Sequence, residues 1–87
     1  MNFSQLNEAI NGNTNDTIYL TNNYTYNSGT DSAYIKGIQI GRNLTIYGNG
    51  ITLDGNHLAR IFIITNPTTT NITIHDINFA PELYVEV

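Results

Sequence analysis

The chain reads as an all-β fold, a short parallel solenoid of stacked strands closed at its N-terminal end by a short helix. Three observations predict it. The phrase Asn43-Leu44-Thr45-Ile46 returns as Asn71-Ile72-Thr73-Ile74, at an offset of 28 (71 − 43). Each copy is an Asn followed by apolar-Thr-apolar alternation, the period of a half-buried strand. Further strand-like triplets lie between the copies, and a repeat of roughly 20–30 residues in an Asn-, Gly- and Thr-rich chain marks stacked coils. Charge is also scarce: 11% of residues are charged, against about a quarter in most soluble domains. Neutral amides and hydroxyls hydrogen-bond in rows without repelling one another, which suits stacked strands.

Only the first segment has a helical period. Phe3, Leu6, Ala9 and Ile10 recur at three and four residues, and Ser4 is the expected N-cap. Asn11-Gly12 supplies the stop, with a residue able to take positive φ. The predicted helix, Ser4 to Ile10, has one apolar face and covers the first exposed end of the sheet stack. From Thr17 the alternation turns β. Ile18-Tyr19-Leu20 and Tyr24-Thr25-Tyr26 flank the turn-forming Thr21-Asn22-Asn23, and the polar stretch 27–33 reads as a loop.

Ile38-Gln39-Ile40, Leu44-Thr45-Ile46 and Ile51-Thr52-Leu53 come next, followed by the loop Asp54-Gly55-Asn56-His57. The series resumes with Ile61-Phe62-Ile63-Ile64, Ile72-Thr73-Ile74 and Ile77-Asn78-Phe79. Grouped in threes, these strands align Ile38 with Ile61, Leu44 with Ile72 and Ile51 with Ile77, at offsets of 23, 28 and 26. The longer second step fits a loop from Thr65 to Thr70 that includes Pro67. Such coils stack about 4.8 Å apart through parallel hydrogen bonds. Gln39, Thr45, Thr52, Thr73 and Asn78 then face outward and their apolar neighbours inward. A rival reading makes Leu44 to Leu53 a β-hairpin with Asn49-Gly50 at its tip. The recurrence favours the solenoid, in which Gly48, Asn49 and Gly50 turn a corner. The chain is then one domain: a cap and turn over 1–16, coils over 17–79, and a tail or partial rung over 80–87. In that tail Leu83, Val85 and Val87 alternate like a strand. An unpaired outer edge is a template for another chain, so self-association through the C-terminal end is expected.

Phe3 to Ile10, Asp16-Thr17-Ile18-Tyr19-Leu20, Gly37-Ile38-Gln39-Ile40 and the long phrase Asn43 to Asn56 resemble, in order and spacing, the start of right-handed parallel β-helix proteins. The likeness is to the large adhesin-like surface proteins of methanogenic archaea and, more distantly, to the pectate-lyase-like superfamily. It spans Phe3 to Phe79. It implies a short right-handed parallel β-helix, a single-stranded solenoid with an N-terminal capping helix. It also implies a non-enzymatic structural or adhesive module of a cell-surface or secreted protein that contacts surface glycans or proteins. The alternative is a truncated remnant of a polysaccharide lyase or glycoside hydrolase. An extracellular or cell-surface location rests on the resemblance, because Met1-Asn2-Phe3-Ser4 has neither the basic nor the apolar region of a secretion signal. Such proteins run for many more coils, so the chain is expected to be a piece of a longer solenoid.

The residues themselves exclude several functions. The net charge is −4, and the cations Lys36, Arg42 and Arg60 form no stripe, which argues against nucleic acid. No apolar run approaches the ~20 residues of a membrane span. Without cysteine there are no disulfides and no thiolate metal sites. Stacked directly, Asp54 and Asp76 would approach the ~5–5.5 Å separation of a retaining glycosidase pair. They stand at different corners, however, so both are expected to be turn carboxylates accepting backbone N–H bonds, and no catalytic residue is assigned. Asp54-Gly55-Asn56 is a fragment of a calcium loop without its remaining ligands, so no cofactor is expected beyond adventitious calcium. His57 and His75 lack partners for a metal.

Asn43 and Asn71 are expected at coil corners, in the left-handed conformation, with their amides in a ladder. Gly48, Gly50, Asp54 and Gly55 are the accompanying turn residues. Glycosylation acceptor patterns occur at Asn2, Asn15, Asn23, Asn43 and Asn71, and Asn15 and Asn23, in exposed turns, are the candidates. Tyr19, Tyr34 and Tyr47 fall at outward or loop positions, where an aromatic face can stack on a sugar ring or a partner surface, and they are the binding candidates.

Overall fold

Strands form where the alternation demands them, and every pairing among the described residues is parallel. A computed structural model describes residues 1–65 and 70–80. Helix α1 (Phe3–Asn11) is followed by β1 (Thr17–Tyr19), β2 (Tyr24–Thr25) and a 3-10 turn, Ser32–Tyr34. Then come β3 (Ile38–Ile40), β4 (Leu44–Asp54), β5 (Phe62–Ile64) and β6 (Ile72–Ala80). One sheet has β4 at its centre: β1 and β2 lie against successive stretches of one edge and β6 along the other. A second, two-stranded sheet pairs β3 with β5. The described residues thus pass through three levels, the first holding α1, β1 and β2, the second β3 and β4, the third β5 and β6.

The β4–β6 register pairs Leu44 with Ile72 and Ile51 with Ile77, the expected offsets of 28 and 26. The two differ because Gly48-Asn49-Gly50 of β4 oppose the single residue Asp76 of β6. Asn49, Gly50 and Asp76 all have positive φ there (53°, 84° and 54°). A Cβ on Gly48 would strike the Ile77 side chain and lie 2.8 Å from the Asp76 carbonyl oxygen. The corner therefore requires glycine at position 48. The hairpin reading is overturned, since Leu44–Ile46 and Ile51–Leu53 belong to one strand whose partners are parallel throughout.

Three further expectations are corrected. Ile38 pairs with Phe62, an offset of 24 (62 − 38), and not with Ile61. Gly37, at φ 108°, sets this register: a Cβ there would lie 2.9 Å from the Phe62 carbonyl carbon, so the backbones touch. The N-cap is Asn2 instead of Ser4. Asn2 Oδ1 accepts from the Gln5 N–H and Gln5 Oε1 accepts from the Asn2 N–H, both at 2.9 Å, a reciprocal capping box. Gly12 ends the helix at φ −80°, without the positive φ expected of it. Its value is room, because a Cβ would run into the Glu8 carbonyl oxygen. The insertion placed around Pro67 and the tail strand of Leu83, Val85 and Val87 lie outside the described residues.

The core is one column of apolar side chains. Ile18, Leu20, Tyr24 and Tyr26 fill the first level, Ile38, Ile40, Leu44, Ile46, Ile51 and Leu53 the second, and Ala59 and Ile61 lead into the third. Phe3, Leu6 and Ile10 of α1 cover the first level and are fully buried. The Phe3 ring meets Tyr26 edge-on, with centroids 5.6 Å apart. Helix α1 also packs beside β3, where Asn11 Nδ2 donates to the Gln39 carbonyl oxygen at 2.9 Å. That bond satisfies a carbonyl on the β3 edge away from β5. Arg42 binds the far end of the helix, donating to the carbonyls of Ile10 (3.1 Å) and Asn15 (2.9 Å). A cation at a helix C-terminus also suits the helix dipole.

Candidate binding surface

Parallel register turns single outward residues into columns. Thr17, Thr45 and Thr73 align across the three levels, as do Tyr19, Tyr47 and His75. Both columns repeat at an offset of 28, and Asn15-Asp16-Thr17-Ile18-Tyr19 is a third copy of the repeated phrase. Asp16, where the later copies carry Leu44 and Ile72, hides that copy from a search for alternation. Beside the Thr column a shallow depression of about 250 Å³ crosses the levels and is also bordered by Asn43 and Asn71.

The three candidate tyrosines divide between two places. Tyr19 stacks on Tyr47 (centroids 5.2 Å, 14° between planes), and Tyr47 stacks on His75 (4.7 Å, 8°). Tyr47 thus has both faces covered by neighbours. Solvent meets ring edges along the column, together with the 66%-exposed Tyr19. His75 completes the column and is not among the expected binding residues. The signal that reveals it is its offset from Tyr47, which equals that of Tyr47 from Tyr19.

Tyr34 lies apart, in a groove of about 540 Å³ between α1 and β3. Its hydroxyl accepts from Asn7 Nδ2 at 3.3 Å, and Asn7 Oδ1 accepts from Asn11 Nδ2 at 2.8 Å. The bond from Asn11 to the Gln39 carbonyl completes a chain of fixed amides. Lys36, Gln39 and Ile63 also line the groove.

Asn43 and Asn71 occupy equivalent positions at the starts of β4 and β6. The Asn71 N–H donates to Asn43 Oδ1 at 2.7 Å, so the link runs from side chain to backbone. The left-handed conformation expected of them falls instead on Asn49, Asn56, His57 and Asp76. Asn23 acts like Asn43: its Oδ1 accepts from the Thr52 N–H at 2.8 Å. Asn15 and Asn23 are both exposed. Asp54 Oδ1 accepts from the Asn56 N–H at 2.7 Å, closing the turn through the buried Gly55. Asp54 aligns with Thr25 and Ala80, whereas Asp76 sits at the Gly48 corner, so the two carboxylates occupy different columns. Among the described residues no three His, Asp or Glu side chains come together as a metal site would require.

Among the described residues Asp31 is the buried carboxylate, with no exposed surface. Its Oδ1 accepts from the Ser4 N–H (3.0 Å), the Ser4 hydroxyl (2.6 Å) and the Thr30 hydroxyl (3.3 Å). Its Oδ2 accepts from the N–H groups of Phe3 (2.9 Å) and Asn27 (2.8 Å). Burial by itself raises its pKa. The bonds from the Ser4 hydroxyl and the three backbone N–H groups outweigh burial and leave the carboxyl below the ordinary carboxylate range. Asp31 latches the first turn of α1 to the loop that also presents Tyr34, whose N–H donates to the Asp31 carbonyl at 2.7 Å.

No curated protein and no solved structure matches the chain. A family model described as "Putative pectate lyase-like adhesive domain" matches residues 1–85. That match spans α1 and every described strand, and on it the chain belongs to the pectate lyase-like adhesive domain family.

Proposed function

We propose that this chain is a non-enzymatic structural and adhesive module, the capped first coils of a right-handed parallel β-helix. It works at a cell surface or outside the cell, without a cofactor, and contacts carbohydrate. The family match over residues 1–85 carries the reading. The parallel registers support it: offsets from 24 (Ile38 to Phe62) to 29 (Tyr24 to Leu53) return the chain to the same sheet edges, as coils of a solenoid do. The outward columns support it as well, because uncharged Thr, Asn and Tyr in rows form a broad hydrogen-bonding face. The rival reading, a polysaccharide lyase or hydrolase remnant, needs cooperating carboxylates, and the separate columns of Asp54 and Asp76 speak against that.

The test is a glycan array and a cell-binding assay beside incubation with acidic polysaccharides, with and without calcium. Retention of glycans or cells without product is expected, and it should weaken in Tyr19→Ala. Product formation that disappears in Asp54→Asn or Asp76→Asn would replace this reading with the lyase remnant.

A further inference from the structure

We propose that the groove between α1 and β3 is a binding subsite for a neutral saccharide. The inference rests on the carbohydrate-contacting reading above and names the place and the class of sugar. The groove, at about 540 Å³, is within the size range of small-molecule sites. Its polar groups are held before any ligand arrives, because Tyr34, Asn7, Asn11 and the Gln39 carbonyl form one chain of hydrogen bonds. Binding there would require little ordering of side chains.

That chain leaves defined capacity over. Asn11 uses both amide N–H groups, which leaves its Oδ1 as an acceptor. Asn7 keeps one amide N–H, and the Tyr34 hydroxyl, already accepting from Asn7, keeps its own proton to donate. The Gln39 side chain, exposed on β3, offers a donor and an acceptor together. A set that mixes donors and acceptors suits hydroxyl groups, which do both. The half-buried Tyr34 and Ile63 add apolar surface for the C–H face of a sugar ring.

Charge selects the neutral class. The chain carries seven acidic residues against three basic ones. Arg42 is committed to backbone carbonyls, so Lys36 is the one cation lining the groove. A single exposed ammonium on a net-negative protein is a poor counterpart for a polyanion.

The experiment is saturation-transfer NMR and titration calorimetry on the full chain. The probes are neutral oligosaccharides of glucose, mannose and N-acetylglucosamine, with oligogalacturonate as the acidic comparison. At least one neutral probe should bind. Gln39→Ala and Tyr34→Phe should each weaken it about 3- to 10-fold, the effect of one neutral hydrogen bond. Both sensitive variants leave the groove's backbone contacts in place, and unchanged thermal melting would establish that each is folded. Binding untouched by both but lost in Tyr19→Ala would overturn the groove while leaving carbohydrate contact intact. Preference for oligogalacturonate that depends on Lys36 would overturn the neutral class. Silence from every neutral probe would overturn the subsite outright.

Discussion

Replacing Asp31 removes the acceptor for three backbone N–H groups at once, those of Phe3, Ser4 and Asn27. The Phe3 bond is fully buried, and the other two are partly buried. Orphaning a buried donor costs about 1–3 kcal/mol. Taking about 2 for Phe3 and about 1 for each of the others, Asp31→Ala should lose about 4 kcal/mol. The domain as a whole has on the order of 4–13 kcal/mol at ~0.05–0.15 kcal/mol per residue, so the loss is a large fraction of the total. Asp31→Asn should fare little better, at about 3 kcal/mol, because each carboxylate oxygen serves a backbone N–H and an amide turns one of them into a donor. Urea unfolding followed by far-ultraviolet circular dichroism measures both. The wild type also has a pH signature. A carboxyl held below its unfolded-state pKa contributes stability that is complete above ~pH 4 and lost as pH falls through the lower folded-state value. Asp31→Asn should lack that acid limb. An Asn variant within ~0.5 kcal/mol of wild type, with the limb intact, would refute the latch.

Ile46→Ala, in the fully buried middle of the stack, should cost about 2–5 kcal/mol. Ile74→Ala, one level on and 37% exposed, should cost distinctly less in the same denaturation assay. Gly48→Ala should lower the thermal midpoint by the equivalent of about 1–3 kcal/mol, because the new methyl meets the Asp76 carbonyl and the Ile77 side chain. Burial raises the pKa of Tyr24, so the unfolded chain deprotonates first as pH rises. Stability should therefore fall above ~pH 10, and Tyr24→Phe should remove that fall in an alkaline melting series.

Period is the legible part of the sequence. The offsets of 28 and 26 follow from apolar-polar-apolar spacing alone, because inward residues must recur wherever a coil passes over the last one. The one-residue error at Ile38 has a local cause. Ile61 is as apolar as Phe62 and is itself fully buried, so hydrophobic pattern cannot choose between them. The contact of Gly37 with the Phe62 backbone does choose, and it is a tertiary fact. The N-cap is ambiguous for a similar reason: Asn2 and Ser4 are both capping residues, and the Gln5 that completes the box shows only with Asn2 at its head. Least legible are the latch and the groove. Asp31 meets Phe3 and Ser4 across 28 and 27 residues, and Asn7 meets Tyr34 across 27, without any motif that announces the meeting. Local propensity places such groups in loops, and packing alone brings them together.

The latch raises the question of whether α1 opens by itself when Asp31 is lost or takes the stack with it. Phe3, Leu6 and Ile10 are fully buried. Burial of such side chains is worth about 1.5–3 kcal/mol each, or roughly 5–9 kcal/mol for the three. Releasing the helix would expose them together with Ile18, Leu20, Tyr24 and Tyr26 beneath, which form one cluster with them. That exceeds the ~4 kcal/mol the latch supplies. The apolar face should therefore hold α1 in place after Asp31→Ala, and the destabilisation should spread over the whole cooperative unit. Native-state hydrogen exchange distinguishes the cases. The slowest amides of α1 and of the β4–β6 pair should lose protection by the same factor in the variant. If α1 amides alone became fast while β4 amides kept their wild-type rates, the helix would be a separable lid. Asp31 would then gate the groove instead of stabilising the stack.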